Sequence, residues 1–167
     1  MDHFLYRNGI LHVEDVAIAA IAAEVGTPFY VYSAATLSRH FQLFREALDG
    51  MDHLICFAVK SNSNLAVLKL LGDLGAGMDV VSIGEYLRAR AAGVPGERIV
   101  FSGVGKTRAE MRTALEGGLI RLLLDRLTGG RLQRLLQLGC GCHLVDLHAD
   151  QRQPHLCDSR VPAQRLR

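Results

Sequence analysis

Lys60 is the residue whose place in the chain most suggests chemistry. It follows the continuous apolar run Leu54-Ile55-Cys56-Phe57-Ala58-Val59, the pattern of a strand buried on both faces of a parallel sheet. Its ammonium is therefore expected at a C-terminal strand end, the side on which α/β folds build their sites. A partly desolvated lysine there can lose its proton and form a Schiff base with a carbonyl compound. A lysine that merely extends its head to water fits the same pattern. Asp79 comes 19 residues later, one strand-helix unit on, and is expected to end the neighbouring strand on the same face. There a carboxylate would orient the amine or hold a cationic ring nitrogen, although a loop aspartate accepting backbone hydrogen bonds would look the same. Ser82 and Glu85 have the spacing of a capping box, which by itself accounts for both.

Two further clusters have chemical residue types but not chemical spacing. Ser102-Gly103-Val104-Gly105-Lys106-Thr107 ends like a nucleotide phosphate loop, but the motif's first glycine falls on Val100. What remains is a glycine turn at a helix N-terminus, which can receive an anion. Cys140-Gly141-Cys142-His143, followed by His148 and Cys157, lacks the two-residue gap of a zinc knuckle, so no metal site is expected.

The elements that must position Lys60 and Asp79 alternate in the manner of βα units. Thr27-Pro28-Phe29-Tyr30-Val31-Tyr32-Ser33 has strand composition, and Ala35 to Leu48 puts Leu37, Phe41, Phe44 and Leu48 on one helical face. After the Lys60 strand, a helix from about Asn64 turns Leu65, Leu68 and Leu71 inward and stops at Gly75 to Gly77. Met78 to Val81 is the next strand, and the helix opened by Ser82 ends at Gly93, just before Pro95. Arg98 to Phe101 is a further strand, followed by a second capping box, Thr107 to Glu110, and a helix reaching Glu116. Ahead of these units, Phe4 to Val13 fits a strand pair turning at Asn8-Gly9 and Ala17 to Val25 a short helix.

With 49% apolar and 22% charged residues, the composition is that of a soluble globular domain. The longest apolar run, Val16 to Ala23, is too short for a membrane span, and Met1-Asp2-His3 does not open a signal peptide. Four unevenly spaced cysteines make no disulfide framework, so reduced thiols and a cytoplasmic setting are expected. The charge changes sign along the chain. Residues 1–118 hold 11 Lys+Arg against 13 Asp+Glu, whereas residues 119–167 hold eight Arg against four Asp, with 13 Leu and three of the cysteines. The arginines of this tail have no aromatic interleaving, so no nucleic-acid partner is expected. Its composition suits a shifted reading frame.

Phe57-Ala58-Val59-Lys60-Ser61-Asn62-Ser63-Asn64 and Leu74-Gly75-Ala76-Gly77-Met78-Asp79-Val80-Val81-Ser82-Ile83-Gly84-Glu85 resemble the beginning of diaminopimelate decarboxylases. Gly26-Thr27-Pro28-Phe29-Tyr30-Val31-Tyr32, Ala91-Ala92-Gly93-Val94-Pro95 and Glu97-Arg98-Ile99-Val100-Phe101-Ser102-Gly103 continue the likeness. That family belongs to the fold-type III pyridoxal-phosphate enzymes, with ornithine and arginine decarboxylases and, more distantly, alanine racemase.

The resemblance implies an α/β fold, the N-terminal portion of an alanine-racemase-like (β/α)8 TIM barrel. It implies that Lys60 carries pyridoxal 5'-phosphate, and that Asp79 and Glu85 line the lysine side of the cofactor pocket. The implied reaction is decarboxylation of meso-2,6-diaminopimelate to L-lysine and CO2 in lysine biosynthesis, by an enzyme that is a homodimer when intact. Three segments are expected: 1–26, an N-terminal strand and helix; 27–118, a partial pyridoxal-binding barrel; and 119–167, a divergent Leu/Arg-rich tail where the resemblance stops. A barrel takes roughly 250 residues, so it is expected to stay incomplete, with unpaired apolar edges, poor folding and no activity. A pyridoxal-phosphate carrier or homeostasis protein, or a non-catalytic fragment that pairs with a full-length decarboxylase, are the alternatives.

Overall fold

The computed structural model describes residues 3–119, 121–122, 135–138 and 142–146. The chain begins with a three-stranded antiparallel sheet. Asn8 and Gly9 both take positive φ, 50° and 78°, the two-residue turn whose twist matches a hairpin. They join β1 (Phe4–Arg7) to β2 (Ile10–Val13), and β3 (Val16–Ala17) pairs on the far side of β2. The helix α1 (Ile18–Val25) follows directly, as its Ala-rich sequence predicts.

Residues 27–33 form no strand, contrary to their aromatic and β-branched composition. Strand propensity expresses how well side chains fit a half-buried pleated surface, and this segment has no such surface. Tyr30 is 91% exposed and Tyr32 51% exposed. The segment instead runs into α2 (Ala34–Ala47), where the Ser33 hydroxyl accepts from Thr36 N at 3.0 Å as N-cap. Its apolar face is the one expected: Phe41 and Leu48 are buried, with Leu37 and Phe44 packed beside them.

From here strand and helix alternate: β4 (His53–Ala58), α3 (Leu65–Asp73), β5 (Gly77–Val80), α4 (Ile83–Ala91), β6 (Ile99–Phe101), α5 (Arg108–Glu116) and β7 (Arg121–Leu122). β4, β5, β6 and β7 are parallel neighbours in that order. Cα partners run level across the sheet, Ala58 with Asp79 and Asp79 with Val100. Alternate side chains therefore divide between two faces. Ile55, Val59, Met78, Val80, Ile99 and Phe101 join one core with Phe41 of α2, Leu68 of α3, Ala89 of α4 and Ala114 of α5. Ala58, Asp79 and Val100 occupy the opposite face.

Four local expectations change. Leu65 is 43% exposed, while Val67 takes an inward place beside Leu68 and Leu71, because the first residue of a helix capped at Asn64 lies off the inward stripe. The Ser82–Glu85 box is only half formed. Ser82 accepts from Glu85 N at 3.2 Å, but Glu85 Oε2 accepts from Val81 N at 2.9 Å, one residue before the cap. Parallel pairing continues past Gly118, since Arg121–Leu122 form β7, and Leu119 before them is buried. The sheet is also mixed and its β4 edge is not left open. β8 (Leu135–Leu138) and β9 (Cys142–Asp146) form an antiparallel pair, and β9 runs antiparallel to β4 with Ile55 opposite Leu144. An edge strand's N–H and C=O groups readily accept such a partner.

Candidate active site

The Lys60 side chain is mounted on a short, tied-down segment. Beyond Ala58 the chain tightens into a single 3₁₀ turn, Val59–Ser61. Val59 is fully buried, Lys60 is exposed, and Ser61 Oγ donates to Ala58 O at 2.7 Å. Asn62 and Asn64 close the loop: Asn64 N donates to Asn62 Oδ1 at 3.0 Å, and Asn64 Oδ1 accepts from Ala66 N at 2.9 Å. Arg88 Nε on α4 donates to Ser63 O at 2.9 Å. The Lys-Ser-Asn-Ser-Asn wording is thus a set of local hydrogen bonds that ends one strand and starts one helix. Among the described residues the Lys60 ammonium makes no hydrogen bond or ion pair.

Asp79 is 3% exposed, and a carboxylate so buried needs a donor. Ser102 Oγ donates to Asp79 Oδ1 at 2.5 Å. Ser102 N donates to Val80 O at 2.9 Å, which carries the pairing of β5 and β6 one residue beyond the strands. Lys60, Asp79 and Ser102 therefore sit at the C-terminal ends of three adjacent parallel strands, with Asp79 on the face opposite the helices. Glu85 lies in the first turn of α4, its carboxylate folded back onto Val81 N. Ser102, seen in the sequence only as part of a glycine turn, is the polar partner that sequence reasoning missed. Its signal was parity: it lies two residues beyond Val100, which is level with Asp79.

The glycine turn does not offer an anion site at α5. The Glu110 carboxylate already fills that N-terminus, accepting from Thr107 N and Thr107 Oγ1, each at 2.8 Å. These hydrogen bonds, the backbone one foremost, lower the Glu110 pKa. Lys106 donates to Gly103 O and lies 5.4 Å from the Phe101 ring centroid. Of the cysteine-histidine cluster, Cys140, His148 and Cys157 lie outside the described residues. Among the described residues, no three His, Cys, Asp or Glu side chains converge as a metal site, and Cys56 is buried. No helix among those residues is long and apolar enough to cross a membrane.

An amine at one strand end and a buried, hydrogen-bonded carboxylate on the next have the chemistry to hold an aldehyde cofactor with a cationic ring. Comparison with known proteins points to the same class. Residues 34–144 match the profile of the pyridoxal-dependent decarboxylases, pyridoxal binding domain. The chain belongs to that family, whose cofactor is pyridoxal phosphate, and the match extends past Gly118. It is 58% identical over 119 residues to the diaminopimelate decarboxylase of Pseudomonas fluorescens, covering 71% of this chain and 29% of that one. It is 51% identical over 135 residues to that of Pseudomonas aeruginosa, covering 81% and 32%. The crystal structure of diaminopimelate decarboxylase from Helicobacter pylori complexed with L-lysine superposes with a TM-score of 0.62 at 42% identity, over 65% of this chain and 27% of that one. The chain spans about three tenths of the length of the curated relatives it matches.

Proposed function

We propose that this chain is the lysine-bearing part of a pyridoxal-phosphate-dependent diaminopimelate decarboxylase, and that Lys60 is the residue that carries the cofactor. The observation that carries this reading is the Lys60 ammonium, without an ion pair among the described residues, at the end of β4 beside the strand that bears buried Asp79. The curated relatives' names support diaminopimelate decarboxylation as the activity of the whole protein; conversion of meso-2,6-diaminopimelate to L-lysine and CO2 by a cytoplasmic homodimer is what the family resemblance adds to this reading.

When bound, pyridoxal phosphate supplies an electron sink for the pair released as a carboxylate leaves as CO2. Lys60 Nζ is the group that would hold the cofactor through its aldehyde carbon, with loss of water, and once released from it the Lys60 ammonium at the same strand end would be placed to give a proton to the reacting carbon. Its anchored 3₁₀ turn keeps that nitrogen at one place along the strand end. Asp79 offers a fixed negative charge, either to the amine or to a cationic ring nitrogen. Glu85 belongs to the lysine side of the same pocket, and its hydrogen bond to Val81 N holds the turn after β5 in shape.

The same reading makes residues 27–118 part of a (β/α)8 barrel wall. All four helices α2 to α5 lend side chains to the core on one face of the strands, as a barrel requires and a doubly wound sheet would not. Residues 1–26 are then a separate N-terminal segment, and the divergence of the 119–167 tail lies past the residues that match the family model, 34–144.

The test is the absorbance of the purified chain titrated with pyridoxal phosphate, beside Lys60→Ala. A saturable shifted band in the wild type that is absent in Lys60→Ala is the expected result. Identical free-cofactor spectra for both proteins would overturn the reading.

A further inference from the structure

Ser102 is mounted more rigidly than a loop serine needs to be. Its N–H is tied to Val80 O at 2.9 Å. The next residue, Gly103, passes so close to the Val81 carbonyl that a Cβ there would collide with its oxygen, so only glycine permits this crossing. Val81 is itself held from the other side by Glu85 Oε2 at 2.9 Å. Ser102 N is thereby tied to the end of β5, and the backbone just after it packs against Val81. The hydroxyl so fixed donates to Asp79 Oδ1.

A donor on one carboxylate oxygen sets the rotation of the carboxylate plane, a broad and otherwise soft torsion. Buried polar groups held in this way act from a fixed direction and need no reorganisation when charge appears nearby.

We propose that Ser102 is a positioning residue for the Asp79 carboxylate in the pyridoxal site. The proposal rests on the function proposed above. Ser102 does not touch the reacting atoms; it aims the charge that does.

The experiment measures the pyridoxal phosphate dissociation constant, and the pH midpoint of the bound cofactor's absorbance change, in the full chain. The variants are Ser102→Ala, Ser102→Thr, Asp79→Asn, the double variant Ser102→Ala/Asp79→Asn, and Lys60→Ala. Loss of one hydrogen bond to a buried charge should weaken binding about tenfold in Ser102→Ala. The pH midpoint should move in the same variant, because the charge near the cofactor is less well aimed. Ser102→Thr, which keeps the hydroxyl, should restore both readouts. The double variant should be no worse than Asp79→Asn alone, since both substitutions remove one interaction.

Wild-type affinity and pH midpoint in Ser102→Ala, while Lys60→Ala loses the band, would overturn the role of Ser102 and leave the proposed function standing. Additive losses in the double variant would do the same. A Lys60→Ala variant that binds like the wild type would overturn the proposed function and this inference with it. If Ser102→Ala fails to fold, a Ser102→Thr variant with altered affinity or midpoint contradicts the proposal by itself.

Discussion

Glu14 illustrates how much one side chain can do where two parts of a chain meet. It sits at φ +53° in the turn between β2 and β3, yet its carboxylate reaches the start of α2. There it accepts from Ala35 N at 2.9 Å and Ser33 Oγ at 2.7 Å. These hydrogen bonds, the backbone one foremost, hold its pKa below the ordinary Glu value. A carboxylate with a depressed folded pKa stabilises the fold above its unfolded pKa, and that contribution is lost as pH falls through the folded value. Thermal melts from about pH 6 to about pH 3 should show the wild type above Glu14→Gln at the upper end, with the two converging in acid. A gap that stays constant across the range would contradict the assignment. Nothing in the sequence announced this contact, because 21 residues separate Glu14 from Ala35. The strand-end places of Lys60 and Asp79 were legible for the opposite reason: Lys60 follows directly on an apolar run, and Asp79 comes one strand-helix unit, 19 residues, later. Ser102 was not legible, since the glycines beside it suggested a turn rather than a partner for a buried charge.

Among the elements, the helices of the alternating region follow their local signals closely. Asn64, Ser82 and Thr107 each cap the helix they precede, and Thr107 with Glu110 completes the reciprocal box. Asn64→Ala should cost about 1 kcal/mol, measured by denaturant unfolding. It should also raise hydrogen exchange in the Lys60 loop, because the same side chain starts α3 and ends that loop. Leu68, fully buried between α3 and the strands, should cost about 2–5 kcal/mol when replaced by Ala. Equal stability of Leu68→Ala and wild type would show that this core is not formed. The failure at residues 27–33 has a physical cause: a strand exists only with a partner, and partner choice is not local information. The half-formed Ser82 box is a matter of one residue, since Glu85 reaches the N–H of Val81 instead of that of the cap.

On the scale of the whole molecule, the unexpected feature is which strand covers β4. Its order in the sheet, between β5 and β9, makes β4 an interior strand, although the sequence led to the expectation of an open edge. Because β9 pairs with β4, Leu54 opposite Val145, Val145→Pro should speed hydrogen exchange of the β4 amides, since proline removes a ladder donor and fits poorly within paired strands. Unchanged exchange would mean that β4 does not depend on β9. The chain as a whole offers three lysines, Lys60, Lys69 and Lys106, so the position at which the cofactor is held can be mapped directly. Lys69 already pairs with Asp73 at 3.0 Å, and Lys106 donates to Gly103 O, while Lys60 stands at the strand end beside Asp79. Incubation with less than one equivalent of pyridoxal phosphate, borohydride reduction and peptide mass mapping will locate the fixed cofactor. The cofactor should be found on Lys60, and an even distribution over the three lysines would contradict the role assigned to it.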